Sequence, residues 1–300
     1  MHRIGKDDML QFNKLCPIEK GWSGDKKYKA VTADGTAYLL RVAPLEKREK
    51  CAAMFTLQQQ YTALGIPMCE PIEQTLREDG VYTVQRFVKG RDAEEVLPTL
   101  SQAEQYALGL DAGHILRTMH RIPAPTDAPD WSTRFGAKID RKIKMYRDCP
   151  IKFDGAEEII RYLNSRRELL PGRPQAFQHG DYHVGNMMIE NGQLVIIDFD
   201  RLDYGDPWEE FNRIVWCAQA SPHFAAGQVD GYFDGDVPQD FWSLLALYIG
   251  SNTLSSIPWA IPFGEDEINT MREQAREVLA WYDGMQRPLP RWYETAKSTL

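Results

Sequence analysis

The chain has 300 residues, 43% apolar and 26% charged, with a net charge of −8. This length supports one large domain or two smaller ones with a buried core, and the composition is that of an ordinary soluble globular protein. The acidic balance argues against nucleic acid as the main partner, no stretch approaches the roughly 20 apolar residues of a membrane span, and the opening M-H-R-I-G-K-D-D-M holds no apolar signal core. Five cysteines (Cys16, Cys51, Cys69, Cys149, Cys217) are odd in number and lack C-x-x-C spacing, which argues against a disulfide framework and a thiolate zinc site. The expectation is a reduced, cytoplasmic protein with no nucleic-acid or membrane partner.

Residues 16–20, 28–33 and 37–42 read as strands of an antiparallel sheet. Between the first two runs a turn-rich loop, Gly21-Trp22-Ser23-Gly24-Asp25-Lys26-Lys27. Glycines without a Cβ let backbone N–H groups approach a phosphate, although two glycines are also what a plain hairpin turn requires. Residues 45–64 predict a helix with Ala53, Leu57, Tyr61 and Leu64 on its apolar face and Gly65 as the stop. Strands over 72–76 and 81–87 complete a β-β-β-α-β-β first part. Past Gly90 the patterning turns helical, which sets a boundary near residues 88–91. Helices follow over 100–121, where Ser101 and Glu104 spell a capping box, then over 135–147, 155–170, 207–219, 241–249 and 265–282.

The chemistry concentrates in residues 177–206. Asp181 is followed after five residues by Asn186, and twelve residues later by Asp198. Asn191-Gly192 between the apolar runs 187–190 and 194–197 predicts a tight hairpin, because both turn residues accept positive φ. Folding back there returns Asp198 close to Asn186, so that a carboxamide and a carboxylate offer oxygen ligands to a hard cation such as Mg²⁺. A carboxylate at Asp181 can accept a proton from an incoming hydroxyl. Residues 198–240 add ten carboxylates against two arginines, interleaved with aromatic residues. An acidic, aromatic-lined cleft using Asp203, Trp208, Glu209 and Asp230 would suit a cationic acceptor, whereas a solvated face with helix caps is the plainer reading.

His179-Gly180-Asp181-Tyr182-His183-Val184-Gly185-Asn186, followed by Ile196-Ile197-Asp198-Phe199-Asp200, resembles the catalytic core of the aminoglycoside phosphotransferase and choline kinase group, relatives of protein kinases. The stretch Y-G-D-P-W-E-E-F at 204–211 extends the likeness. The resemblance implies an α+β, two-lobed protein-kinase-like fold with a small β-rich N-terminal lobe (1–88, nucleotide-binding) and a larger, mainly helical C-terminal lobe (89–300, catalytic and substrate-binding). It makes Asp181 the catalytic base, and Asn186 and Asp198 the ligands of Mg²⁺ on ATP. It assigns the phosphates to Gly21, Ser23, Gly24, Lys26 and Arg41, and the adenine edge to the hinge around Gln85 and Phe87. His179 braces the loop, while His183 either touches phosphate or is solvated.

Two positions depart from that pattern. Arg41 stands where this fold carries a lysine, and its fork is longer and wider than an ammonium. The helix glutamate that should pair with it falls near Met54-Phe55. Glu46 and Glu49 lie one to two turns earlier, and Gln58 is a substitute acceptor. The implied function is transfer of the γ-phosphate of ATP to a hydroxyl of a small, cationic molecule such as an aminoglycoside or amino alcohol. The alternative is a nucleotide-binding pseudokinase with a regulatory role. A protein kinase is disfavoured, because a helix within about ten residues of Asp198 leaves little room for an activation loop.

Overall fold

The computed structural model describes residues 10–19, 24–201 and 203–300. Gly21 and Ser23, expected at the phosphates, lie outside the described residues. In chain order the elements are β1 (Lys14–Ile18), β2 (Lys26–Val31), β3 (Ala37–Ala43), α1 (Arg48–Ala63), β4 (Pro71–Arg77), β5 (Gly80–Arg86), β6 (Arg91–Asp92), α2 (Ala93–Val96), α3 (Gln102–Met119), α4 (Trp131–Asp148) and α5 (Ala156–Ser165). They continue with β7 (Ala176–Gln178), β8 (Met187–Glu190), β9 (Gln193–Ile196), β10 (Asp203–Gly205), α6 (Ile214–Ala220), α7 (Pro222–Phe233), α8 (Gln239–Ala260), α9 (Glu265–Trp281) and α10 (Arg291–Ser298). The described residues form two compact units, one within Met1–Ala93 and Asn186–Leu202, the other within Glu94–Gly185 and Asp203–Leu300. The division is discontinuous, where the sequence suggested a contiguous split at residue 88. The β8–β9 hairpin joins the first unit because Ile196 is tied to the chain before β4, its N–H donating to Pro67 O at 2.8 Å and its carbonyl accepting from Cys69 N at 3.2 Å.

The first unit is built on a five-stranded antiparallel sheet in the order β1-β2-β3-β5-β4. Period-2 alternation divides its side chains. Tyr28, Ala30, Tyr38, Leu40, Val42 and Val84 gather with Leu10 and Phe12 in one apolar cluster. The opposite face carries Lys27, Arg41 and Thr83, since Arg41 stands directly across from both Lys27 and Thr83 in the ladder. Helix α1 covers this second face: Gln74 Nε2 donates to Cys51 O at 3.1 Å, and Gln85 Nε2 to Gln58 Oε1 at 3.0 Å. Gly65, at φ +78°, ends the helix as its sequence indicates.

The second unit is helical. Ser101 and Glu104 form the expected capping box at the start of α3. Helix α3 meets α7 through glycines. A Cβ on Gly109 would stand 2.2 Å from Phe224 O, on Gly113 2.3 Å from Gln228 O, and on Gly231 2.2 Å from Leu110 O. These obstacles are backbone atoms, which cannot rotate aside. Gly231→Ala should therefore cost about 3 kcal/mol through overpacking, read as a lowered urea midpoint with an unchanged m-value. Helix α4 packs on α8 through Trp131, Phe135 and Tyr248, with the Trp131 and Phe135 rings stacked at 5.0 Å.

Several boundaries differ from the sequence reading. Helix α4 begins four residues before 135, because the Asp130 carboxylate accepts the Thr133 N–H at 3.0 Å and caps it there. The span 207–219 is a 3-10 turn over Glu209–Arg213 followed by the short α6. Helix α8 runs well past 249 because it is apolar on nearly every face and buried along most of its length. Helix α7 was not anticipated; its Gly227 and Gly231 admit the α3 backbone.

Candidate active site

The hairpin closes as its sequence predicts. Asn191 and Gly192 take φ of 53° and 79°, and Met187 pairs with Ile196. The Ile197 N–H donates to Asn186 O at 3.0 Å, which brings the backbone before Asp198 back to Asn186. Leu194, Val195 and Ile196 are buried and fix the strand end. Asp198 itself is left-handed at φ 63°, a conformation uncommon outside glycine and tolerated best by Asp and Asn. The Asp200 N–H donates to Asp198 O at 2.9 Å, so two carboxylates leave one tight bend.

Arg41 meets these carboxylates. Its Nη1 lies 3.2 Å from Asp198 Oδ1, its Nη2 lies 3.5 Å from Asp25 Oδ2, and it forms an ion pair with Asp200. Burial works against its charge, but Asp200, then Asp198 and Asp25, more than offset it and hold the guanidinium above its ordinary pKa. Burial raises the Asp200 carboxyl, with Arg41 acting against that and Asp198 adding to it. Lys27 Nζ is 3.5 Å from Asp198 Oδ1, and Lys47 Nζ is 2.7 Å from Asp25 Oδ1. Three carboxylates and three cations thus balance in the first unit.

The missing partner of Arg41 is resolved here. Gln58 is not it: its Nε2 donates to Phe199 O at 3.2 Å and its Oε1 accepts from Gln85. Among the described residues the carboxylates paired with Arg41 are Asp25, Asp198 and Asp200, none of them on α1, while Glu49 pairs with Arg48 at 3.6 Å. Lys27, rather than Lys26, stands beside Arg41. Strand alternation leaves Lys26, itself exposed, on the face of Tyr28 and Val42 and turns Lys27 to the face of Arg41. Gly24, at φ +69°, has open space where a Cβ would stand. At the expected hinge the Gln85 side chain is buried toward Gln58, Arg86 binds Glu190 at 2.7 Å, and the Phe87 ring carries Lys29 Nζ at 4.9 Å.

In the second unit Asp181 is held by a braced loop. The Gly180 N–H donates to Glu210 Oε1 at 2.9 Å, and the Asp181 N–H to His179 Nδ1 at 3.3 Å. Buried His179 therefore braces the loop, as expected. Gly180 takes φ 82°, the left-handed turn that sets Asp181 beyond the strand. The Asp181 carboxylate accepts from Arg213 Nε at 3.1 Å, and His183 Nε2 stands 3.9 Å away. Neither Arg213 nor Glu210 was singled out from sequence; both come from the 3-10 turn that was read as plain helix.

The acidic stretch is largely neutralised from within. Buried Asp230 accepts from Tyr106, Tyr293 and Lys297 at 2.5, 2.6 and 2.7 Å. Glu209 is paired with Lys138 at 2.9 Å; burial raises its pKa, but Lys138, then Lys142 and Arg213, hold the carboxyl below its ordinary value. Asp203 binds Arg134 at 2.5 Å. Trp208 is stacked by the Arg173 guanidinium at 3.7 Å and edged by Phe233 and Phe241. Of these four, the three carboxylates thus hold the chain's own cations, and the Trp208 ring face holds an arginine.

Oxygen donors at the strand end suit a hard cation. Among the described residues no group of three or more His, Cys, Asp or Glu is arranged to hold a metal ion. Mg²⁺ commonly binds through one or two carboxylates plus substrate phosphates and water, so this donor set fits it as a nucleotide-bound ion rather than a caged one. No helix among the described residues is long and apolar enough to cross a membrane.

A five-stranded β-rich lobe followed by a mainly helical lobe, with an Asp on a braced loop and carboxylates past a hairpin, defines a small-molecule kinase of protein-kinase-like fold. The sequence profile of the phosphotransferase enzyme family (APH) matches residues 14–247. The chain belongs to that family. No curated protein sequence matches it. Among solved structures it is similar to a choline/ethanolamine kinase family protein from Mesorhizobium loti (15% identity, 95% of this chain and 93% of that one, TM-score 0.66). It is also similar to the amicoumacin kinase hAmiN in complex with AMP-PNP, Ca²⁺ and Ami (13%, 95% and 93%, 0.65). A thermostable mutant of aminoglycoside phosphotransferase APH(4)-Ia in ternary complex with ADP and hygromycin B is a third (16%, 90% and 94%, 0.62). At these identities the likeness establishes the fold.

Proposed function

We propose that this enzyme transfers the γ-phosphate of ATP to a hydroxyl of a small molecule, with Asp181 as the base. The observation that carries the reading is the placement of Asp181: a partly exposed carboxylate on a loop pinned by Glu210 and His179, with Arg213 against one oxygen. A carboxylate so fixed can orient the acceptor hydroxyl and take its proton. ATP as donor is supported by the ADP and AMP-PNP complexes among the similar structures. On this reading the unit within residues 1–93 and 186–202 takes the nucleotide. Lys27 and Arg41 meet its phosphates, with Gly24 admitting close approach, and backbone groups around Gln85 and Phe87 meet the adenine. Asp198 and Asn186 would hold Mg²⁺, which when bound neutralises charge on the transferring phosphoryl group. Asp198 and Asp200 would then exchange part of their pairing with Arg41 for the metal. Five free thiols and a need for ATP fit a reducing, cytoplasmic compartment.

The test is ADP release from Mg-ATP across sugars, amino alcohols, aminoglycosides, hydroxy acids and sugar phosphates. Acceptor-dependent release is expected. ATP binding with no release under any acceptor would favour the pseudokinase. Arg41→Met should raise the KM for ATP about 10- to 100-fold, the worth of a charge-assisted contact, as read from initial rates. An unchanged KM would remove Arg41 from the phosphate site.

A further inference from the structure

Glu210 leaves the 3-10 turn with its carboxylate buried, the side chain 1% exposed. A buried carboxylate is costly without partners, so what it meets decides where it stays. The Gly180 N–H donates to its Oε1 at 2.9 Å and lies 3.3 Å from Oε2. On the other side stands His120, itself 3% exposed, with Nε2 at 3.8 Å from Oε2. The basic side chain against Glu210 among the described residues is therefore an imidazole, not a lysine or arginine.

Helix α3 delivers His120 as the residue that closes its last turn, the His120 N–H donating to Leu116 O at 3.0 Å. The glycine contact with α7 sets what it meets. A Cβ on Gly113 would stand 2.4 Å from Tyr232 N. At that close approach the Tyr232 hydroxyl lies 2.9 Å from His120 Nδ1, with the two rings edge to face at 5.6 Å. These contacts fix the tautomer. His120 Nε2 is buried and has no hydrogen-bond partner among the described residues, since 3.8 Å is too long for one. A lone pair there would face the carboxylate and be repelled, whereas an N–H is attracted to it. Nε2 therefore carries a proton, and Nδ1 accepts from the Tyr232 hydroxyl. Burial, then Asp206, hold that phenol well above its ordinary pKa, so it has a proton to give. Helix α3 also ties the catalytic loop directly, because the Tyr182 hydroxyl donates to Ala112 O at 2.8 Å.

We propose that His120 is a positioning residue for phosphoryl transfer: oriented by Tyr232, its Nε2–H keeps the Glu210 carboxylate on the Gly180 N–H and so fixes Asp181 where the acceptor hydroxyl meets it. This rests on the phosphotransferase reading. His120 acts through Glu210 and takes no part in the proton transfer itself.

Two measurements test it. A glutamine at 120 can still present an N–H near the position of Nε2, whereas an asparagine reaches only the position of Nδ1. His120→Asn should lower kcat for acceptor-dependent ADP release about 10- to 100-fold, the scale of a small misplacement of a reacting group, with the KM for ATP unchanged. His120→Gln should restore most of that loss. Unchanged kcat in His120→Asn, or equal losses in the two variants, overturns the role. The second measurement needs no turnover. Nitrogen-15 spectra of the wild type should show His120 Nε2 protonated, and the Gly180 amide proton should move upfield in His120→Asn but not in His120→Gln. A wild-type Nε2 without a proton, or a Gly180 amide that ignores both variants, overturns the proposal. If no acceptor is turned over, the parent reading fails, and the Gly180 amide still decides whether His120 holds the loop.

Discussion

Asp181→Asn should lower kcat for acceptor-dependent ADP release about 10²- to 10⁴-fold, the usual worth of a general base, while leaving ATP affinity and melting temperature nearly unchanged. The substitution keeps the size of the side chain and an oxygen for Arg213 Nε, which lies 3.1 Å away. It also keeps the backbone bond from Asp181 N–H to His179, because that bond uses no side-chain atom of Asp181. What it removes is the basic oxygen. A purely structural Asp181 would show the opposite pattern, a fall in melting temperature with kcat preserved at low temperature. Retention of kcat within tenfold would withdraw the base assignment. Arg213 complicates the reading in a useful way. The guanidinium against one Asp181 oxygen fixes the orientation of the carboxylate. Arg213→Met should therefore damage kcat as well, but less than Asp181→Asn, since it leaves the base in place.

Much of this arrangement was legible in the residues themselves. The spacing of Asp181, Asn186 and Asp198 with Asn191-Gly192 between them is local information, and local hydrogen bonding turned it into the hairpin found here. The partners of Arg41 were not legible in the same way. Asp25 is far along the chain from Asp198 and Asp200, and only the sheet and the hairpin bring the three to one guanidinium. Looking for a glutamate on α1 assumed that a helix supplies the partner, whereas a bend after a strand supplies two. The pairing of the acidic stretch was hidden for a different reason. Counting carboxylates in residues 198–240 treats each as free charge, but pairing is a tertiary property. Lys138 and Arg134 on α4, Arg173 before β7 and Lys297 on α10 each neutralise one of them.

The pair that organises the second unit yields the largest stability effect. Asp206 is fully buried and accepts two parallel bonds from Arg173, Nε at 2.7 Å and Nη2 at 3.0 Å, with the Tyr248 hydroxyl adding a third at 2.5 Å and the Trp208 N–H a fourth at 3.0 Å. Asp206→Ala should destabilise the protein by about 3–5 kcal/mol, because it leaves a largely buried guanidinium without its counter-charge and orphans a buried hydroxyl. Arg173→Met/Asp206→Met should recover much of that loss, since removing both charges leaves neither uncompensated. Urea unfolding of the three proteins tests this; a double variant as unstable as the single one would show that packing, not charge, sets the cost. The effect should also reach activity. Gln178, at the end of β7, donates through Nε2 to Asp206 O at 2.9 Å, and the turn beginning at Glu209 follows directly. That turn supplies Glu210 to the Gly180 N–H and Arg213 to the Asp181 carboxylate. Loosening Asp206 therefore loosens both contacts that hold the Asp181 loop. At temperatures where the folded state still dominates, Asp206→Ala should show a reduced kcat with little change in the KM for ATP.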